Sequence, residues 1–241
     1  MRESGRALGP EERTATASPT AWIERLRTSD LTRALRCAGT LEPHRAVASI
    51  RSQPLGTGKA MMSSLFRLHL EFDGPTEAPN SVVAKLACDD PFRRSVADRF
   101  EFYDRELFFY EHLADSVPFR VPDCYLAEVD MAASAPVLLL EDLGDLSTSQ
   151  SSGCTWDEAL LVATEVARLH ARWWGRVDSL SADVHSYDTP SYLERLAGVF
   201  GESWEFCRQH TGERLPDRLR GLGDQWAERV LPPLAQILAT P

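Results

Sequence analysis

A lysine inside an apolar strand and a glutamate on the apolar face of the helix after it are the residues of this chain best placed to do chemistry. Lys85 lies in SVVAKL, flanked by Val82, Val83 and Leu86, and Glu106 lies in RELFFYEHLA. A charge drawn into apolar surroundings needs an opposite charge or a route to water. At about 100° per residue, Phe102, Tyr103, Phe109, Tyr110 and Leu113 share the face of Glu106. Glu101, Asp104, Arg105, Glu111 and His112 take the opposite face, with Phe108 the exception. Two readings follow. Either Glu106 sits at the edge of the stripe and reaches solvent, or it pairs with Lys85.

Other candidates are weaker. Gly56 and Gly58 in LGTG allow close approach of backbone to a ligand, but a hairpin turn explains a lone G-x-G equally well. Gln53 stands where a Walker A loop has its first glycine, and Ala60 follows Gly58-Lys59, so the segment is not a P-loop. His170 shares a stripe with Trp156, Leu160, Ala163, Ala167 and Trp174, which reads as an interior histidine with a hydrogen-bond partner. Trp173 and Trp174 read as packing residues before a cation cage. The five cysteines are odd in number and never spaced C-x-x-C. That pattern implies reduced thiols and neither a disulfide framework nor a zinc site.

The elements that must position these residues are legible. Residues 1–18 are rich in Ser, Thr, Arg, Glu, Gly and Pro and read as a loose tail. TAWIERLRTSDLTRALRCAG reads as one helix or two short ones ending at Gly39. Residues 45–55 read as a strand. In LFRLHLEF, Phe66, Leu68 and Leu70 alternate with Arg67, His69 and Glu71, the period of a second strand. Asp73-Gly74-Pro75 turns the chain into SVVAKL, completing a hairpin. One helix is expected from about Val96 to Leu113, and strands at CYLAEVD and APVLLLEDLG. A capping box, Thr155-x-x-Glu158, opens a helix over 156–174. Thr189-Pro190 opens another over 190–209, and a last helix spans 216–238. A strand-rich half before a helical half implies an α+β protein of two lobes.

Net charge is −10, with 43% hydrophobic and 26% charged residues, as in ordinary globular proteins. An acidic chain is a poor non-specific nucleic-acid binder, and no apolar run approaches the ~20 residues of a membrane span. With no apolar core to an N-terminal leader, a cytoplasmic protein is expected.

LGTGKAMMSSLFRLHL, SVVAKL, RELFFYEHLA, VPDCYLAEVD and VLLLEDLGD, in that order, resemble the N-terminal lobe of the aminoglycoside/choline/ecdysteroid-kinase-like phosphotransferases. EALLVATEVARLHARWW resembles the first long helix of their C-terminal lobe. The resemblance implies a protein-kinase-like fold with a flexible tail over 1–18, an antiparallel-sheet N-lobe with one inserted helix over 19–145 and a partial helical C-lobe over 146–241. It implies that Lys85 contacts the α- and β-phosphates of ATP, held by Glu106, and that Gly56 and Gly58 lie over the phosphates. It further implies that Leu140, Glu141 and Leu143 belong to a hinge whose backbone meets the adenine. The side chains of Glu141 and Asp142 read as capping or lobe-linking, not catalytic. The partners implied are ATP, Mg²⁺ and a small-molecule alcohol; aminoglycosides, choline-like alcohols, steroids and acyl-linked alcohols all remain open.

The same resemblance calls for an H-x-D-x-x-x-x-N loop, whose aspartate takes the acceptor proton and whose asparagine helps hold Mg²⁺, with a later metal-binding aspartate. The only asparagine is Asn80, ahead of the Lys85 strand, and His185-Ser-Tyr-Asp188 has the wrong spacing. The expectation is therefore a phosphotransferase sequence that stops before its catalytic loop, with no catalytic or metal residue of its own. The alternative is a non-catalytic module that binds a nucleotide or a partner.

Overall fold

The computed structural model describes residues 18, 20–55, 62–144, 153–176 and 190–238. Gly56 and Gly58 lie outside the described residues. The chain divides into two compact units, Met1–Trp173 and Trp174–Pro241.

The first unit is built on a five-stranded antiparallel sheet: β1 (Val47–Pro54), β2 (Ser63–Phe72), β3 (Ser81–Ala87), β4 (Cys124–Asp130) and β5 (Ala135–Glu141). Their spatial order is β1-β2-β3-β5-β4. The strands expected from alternation and turn residues all form, and VLLL lies within β5, which is buried from Ala135 to Leu140. Its continuous apolar run follows from cover on both faces of the sheet.

One face carries Leu68, Leu70, Val82, Ala84, Leu86, Val137 and Leu139, packed against Trp22, Leu31 and Leu35. The latter belong to α1 (Ala21–Arg25) and α2 (Thr28–Cys37). Asp30 accepts the Arg27 N–H at 3.0 Å and so caps the start of α2. Gly39, at φ +75°, ends it. The Thr40 N–H bonds the Leu35 carbonyl at 2.9 Å and the Gly39 N–H bonds that of Arg36 at 3.0 Å, a Schellman close. Thr32 then ties α2 to β1: its hydroxyl donates to the Thr28 carbonyl at 2.8 Å and accepts the Val47 N–H at 3.0 Å.

On the other face, Ala87 and Ala135 pack with Ala97 and Tyr103, and Leu138 and Leu140 pack with Leu107. The single helix expected over 96–113 is two: α3 (Pro91–Arg99) and α4 (Phe102–Phe108), running on into a π-helical turn over Phe109–Leu113. The start was hidden in Asp90-Pro91, where the Asp90 carboxylate caps the Arg93 N–H at 2.8 Å and Pro91 pre-sets the first turn. The break is at Glu101, held at φ +56°, a conformation that a glutamate side chain disfavours. With the break and the π turn the phase of the stripe shifts. Tyr103 and Leu107 become its buried centre, while Phe102 is 39% exposed.

Helix α5 (Trp156–Trp173) opens with the expected capping box: the Thr155 N–H reaches Glu158 Oε2 at 2.6 Å and the Glu158 N–H reaches Thr155 Oγ1 at 3.3 Å. Its stripe, however, is not interior. Trp156 is 82% exposed, Leu160 57% and Trp174 77%, and His170 is exposed as well. Spacing creates the demand for an apolar partner, and within the first unit the side chains of α5 are exposed or half-buried.

The second unit holds α6 (Pro190–Thr211), α7 (Asp217–Asp224) and α8 (Trp226–Leu238). The last expected helix, 216–238, is thus divided at Gln225. Phe200 stacks on Trp226 at 4.2 Å between ring centroids, and Trp204 Nε1 donates to Asp224 at 2.9 Å. These contacts hold α6 to α7 and α8.

Leu68 is fully buried and Leu160 is not. Leu68→Ala is expected to cost about 3 kcal/mol in urea unfolding, and Leu160→Ala less than about 0.5 kcal/mol. Equal losses would contradict the placement of the two side chains.

Candidate functional site

Lys85 occupies the middle of β3, paired with Leu65 of β2 on one side and Leu138 of β5 on the other. Alternation along β3 sends Val82, Ala84 and Leu86 into the α2 face and Lys85 toward α4. Glu106, one turn beyond Tyr103 on α4, meets it there. Lys85 Nζ and Glu106 Oε1 are 2.5 Å apart, and each side chain is 28% exposed. Both sequence readings of Glu106 hold at once: it lies at the edge of the stripe, and it pairs with the lysine.

The surroundings show the burial and charge of this corner. Burial pushes the Cys124 thiol up to about 11, with the negative charges of Glu106 and Glu111 adding to it. Burial, then Glu106, pushes the Tyr110 phenol up to about 12. Beside the pair is a crevice of about 10 Å³ lined by Ser63, Lys85, Ala87, Tyr103, Glu106 and Leu138. That is room for about one water. A larger ligand would have to lie on the open side of the pair.

At the end of β5 the polar residues are structural. Asp142 forms an ion pair with Arg67, whose Nε lies 2.7 Å away and whose Nη2 donates at 3.1 Å, and it accepts the Ser81 hydroxyl at 2.7 Å and the Gly144 N–H at 3.0 Å. Burial alone would raise its carboxyl. The Ser81 hydroxyl and the Arg67 guanidinium outweigh that and hold it below the usual carboxylate value of 3.8. The clamp fixes the chain leaving β5 to β2 and β3. Glu141 pairs with Arg120 and accepts the Asp123 N–H at 3.2 Å. Its own N–H bonds the Asp123 carbonyl at 2.8 Å. Leu140 is buried in the core with Leu107, and Leu143 is 38% exposed.

The structure therefore brings Lys85 and Glu106 together and sets Leu140, Glu141 and Leu143 in one strand end and turn. Arg67, Ser81 and Arg120 are partners that sequence reading missed. Arg67 stands on the face of β2 away from Phe66, Leu68 and Leu70, as its alternation predicts, and its register opposite Val83 shows that this is the face of Lys85. Once β2 and β3 are paired, that register is the signal. Among the described residues no three His, Cys, Asp or Glu side chains cluster as metal ligands would. With Glu106 engaged by Lys85 and Asp142 by Arg67, their oxygens do not fit a Mg²⁺ site.

Two measurements test this geometry. At pH 7.5 iodoacetamide should modify the exposed Cys37 well before Cys124, whose thiolate should appear only as pH rises toward about 11; early labelling of Cys124 would contradict its burial. A depressed carboxyl contributes stability above 3.8 that is lost as pH falls through its folded value. Asp142→Asn should accordingly cost about 2 kcal/mol at neutral pH, and the gap to wild type should narrow in urea melts near pH 3.

Residues 57–197 match the model of the ecdysteroid kinase-like family. No curated protein matches the chain. The matched span contains Lys85, Glu106 and the Leu140–Leu143 strand end.

Proposed function

The chain belongs to the ecdysteroid kinase-like family, within the protein-kinase-like phosphotransferases, and from that premise we propose that it grips ATP for transfer of a phosphoryl group to the hydroxyl of a small-molecule alcohol. The observation that carries the reading is the partly exposed Lys85–Glu106 ion pair, inside the matched span and on the central strand of the sheet. Lys85 presents a charged ammonium to the α- and β-phosphates, and Glu106 fixes where it points. The turn after β5, held by Asp142 and including Leu143, offers backbone to the adenine. ATP, when bound, supplies the phosphoryl group. Residues 19–145 would be the nucleotide-gripping lobe and 146–241 helical lobe sequence, the glycines at 56 and 58 lying over the phosphates. Five free cysteines fit a cytoplasmic setting, and no described helix is long and apolar enough to cross a membrane. With a net charge of −10, nucleic acid is not among the proposed partners.

Residues 1–241 contain no H-x-D-x-x-x-x-N sequence, and their single asparagine, Asn80, precedes Lys85. The proposed activity of these residues is therefore nucleotide binding, with negligible phosphoryl transfer. The same absence supports the second reading, a module that binds a nucleotide or a partner without turnover.

Calorimetric titration of the 241-residue chain with a non-hydrolysable ATP analogue tests the grip. Wild type should bind, and Lys85→Ala should weaken binding at least about tenfold, the loss of a charge-assisted contact. No heat with or without Mg²⁺ would remove nucleotide from the reading. ATP turnover abolished by Lys85→Ala would instead overturn the non-catalytic part.

A further inference from the structure

The β2–β3 ladder ends at the pair Ser63–Ala87. The backbone groups one step further, the Met62 carbonyl and the Cys88 N–H, are joined through a side chain. Tyr103 Oη accepts the Cys88 N–H at 3.3 Å and donates to the Met62 carbonyl at 2.5 Å. The tyrosine is 5% exposed. Burial raises its phenol well above the ordinary value, so the hydroxyl keeps its proton and remains a donor. A phenol has one proton to give, and the Met62 carbonyl at 2.5 Å is a far better acceptor for it than Cys88 Sγ at 3.8 Å. The hydroxyl of α4 thus serves as an extra rung of the sheet.

Its position along both elements matters. Tyr103 stands one turn before Glu106 on α4, and Cys88 stands three residues after Lys85. Leu107 also holds α4 to the sheet, through Leu138 and Leu140. Apolar packing sets the distance between helix and sheet but is non-directional. It tolerates rotation or sliding of a short helix, whereas two hydrogen bonds to fixed backbone groups do not. Helix α4 has particular need of such a tie. It begins after the positive-φ Glu101 and runs into a π turn at Phe109, so neither end is a continuous α-helix that would hold its rotation.

We propose that Tyr103 is the positioning residue of the site: by bridging Met62 and Cys88 it sets the rotation of α4 at which Glu106 reaches Lys85. The effect on nucleotide affinity rests on the ATP-gripping reading; the effect on the ion pair does not. Removing the hydroxyl leaves the ring in place and the Met62 and Cys88 backbone groups without this partner. Glu106 then holds Lys85 for a smaller share of the time, and the amine becomes more available.

The chain has two lysines, Lys59 and Lys85, so acylation by an N-hydroxysuccinimide ester can be followed at Lys85 alone by mass spectrometry. In Tyr103→Phe, Lys85 should acylate about fivefold faster than in wild type at neutral pH, the scale of one or two lost hydrogen bonds. Leu35→Ala, which destabilises the opposite face of the sheet, is the control at matched loss of melting temperature and should leave the Lys85 rate near wild type. An unchanged rate in Tyr103→Phe would overturn the proposal, as would equal acceleration in Leu35→Ala, because general loosening would then suffice. Should Tyr103→Phe not fold, amide exchange in the wild-type chain decides: Cys88 should exchange as slowly as the ladder amides of β3, and exchange at the rate of an open amide would overturn the bridge. The non-hydrolysable ATP analogue should bind Tyr103→Phe about fivefold more weakly than wild type. Unchanged affinity beside faster acylation would confine the role of Tyr103 to the ion pair. A wild-type chain that binds no analogue would sink the ATP reading and leave acylation and exchange to judge Tyr103.

Discussion

The centre of the sheet must be covered on both faces, and the rest of the first unit is arranged around that requirement. Strand β5 presents Val137 and Leu139 to one side and Leu138 and Leu140 to the other, all nearly inaccessible. Neighbouring β3 presents Val82, Ala84 and Leu86 to one side; on the other it carries Lys85, with Ala87 beyond it. One helical layer, α1 and α2, closes the first face. A second, α3 and α4, closes the other and in doing so brings a carboxylate over the lysine. The ion pair is a consequence of where the apolar surface has to go. It is only partly buried, so it contributes modestly to stability; what it provides is a charge held in one place.

The polar groups around this layer divide by what they touch. Asp142 and Glu141, adjacent in sequence, hold different parts of the fold. Asp142 binds the chain after β5 to β2 and β3 through Arg67 and Ser81, and Glu141 binds the segment before β4 through Arg120 and Asp123. Both carboxylates are engaged by donors from the protein, and what they do here is tie segments of the fold together. Tyr103 holds a third corner, where β2 and β3 run out of ladder. The turn after β5 and the rotation of α4 are thus both set by directional bonds laid over a non-directional core.

Much of the framework was legible because its signals are local. Alternation in LFRLHLEF, the Asp73-Gly74-Pro75 turn, Gly39 at the end of α2 and the Thr155–Glu158 capping box each act within a few residues, and each does in the structure what its chemistry demands. The pair of charges was legible for a related reason: an ionisable residue in an apolar segment announces that it needs a partner. What was not legible depends on distant contacts. The Arg67–Asp142 clamp joins residues 75 apart. Glu101 adopts a left-handed backbone that its own side chain opposes, so only its surroundings can impose it. Periodicity counted Tyr103 as an apolar ring and could not see the hydroxyl.

The five strands were determined by the sequence alone, since residue type and spacing suffice for them. The sequence also carried the family resemblance through its ordered motifs and offered the Lys85–Glu106 pair as one of two readings, between which the structure decided. The helix break at Glu101, the shift of the buried face to Tyr103 and Leu107, the engagement of Asp142 and the exposure of the α5 stripe were decided only by the tertiary structure. The physical reason is the same in each case. Spacing states which face of an element must be covered and which charge must be balanced, but the partner that does so is supplied by a segment that sequence distance does not reveal.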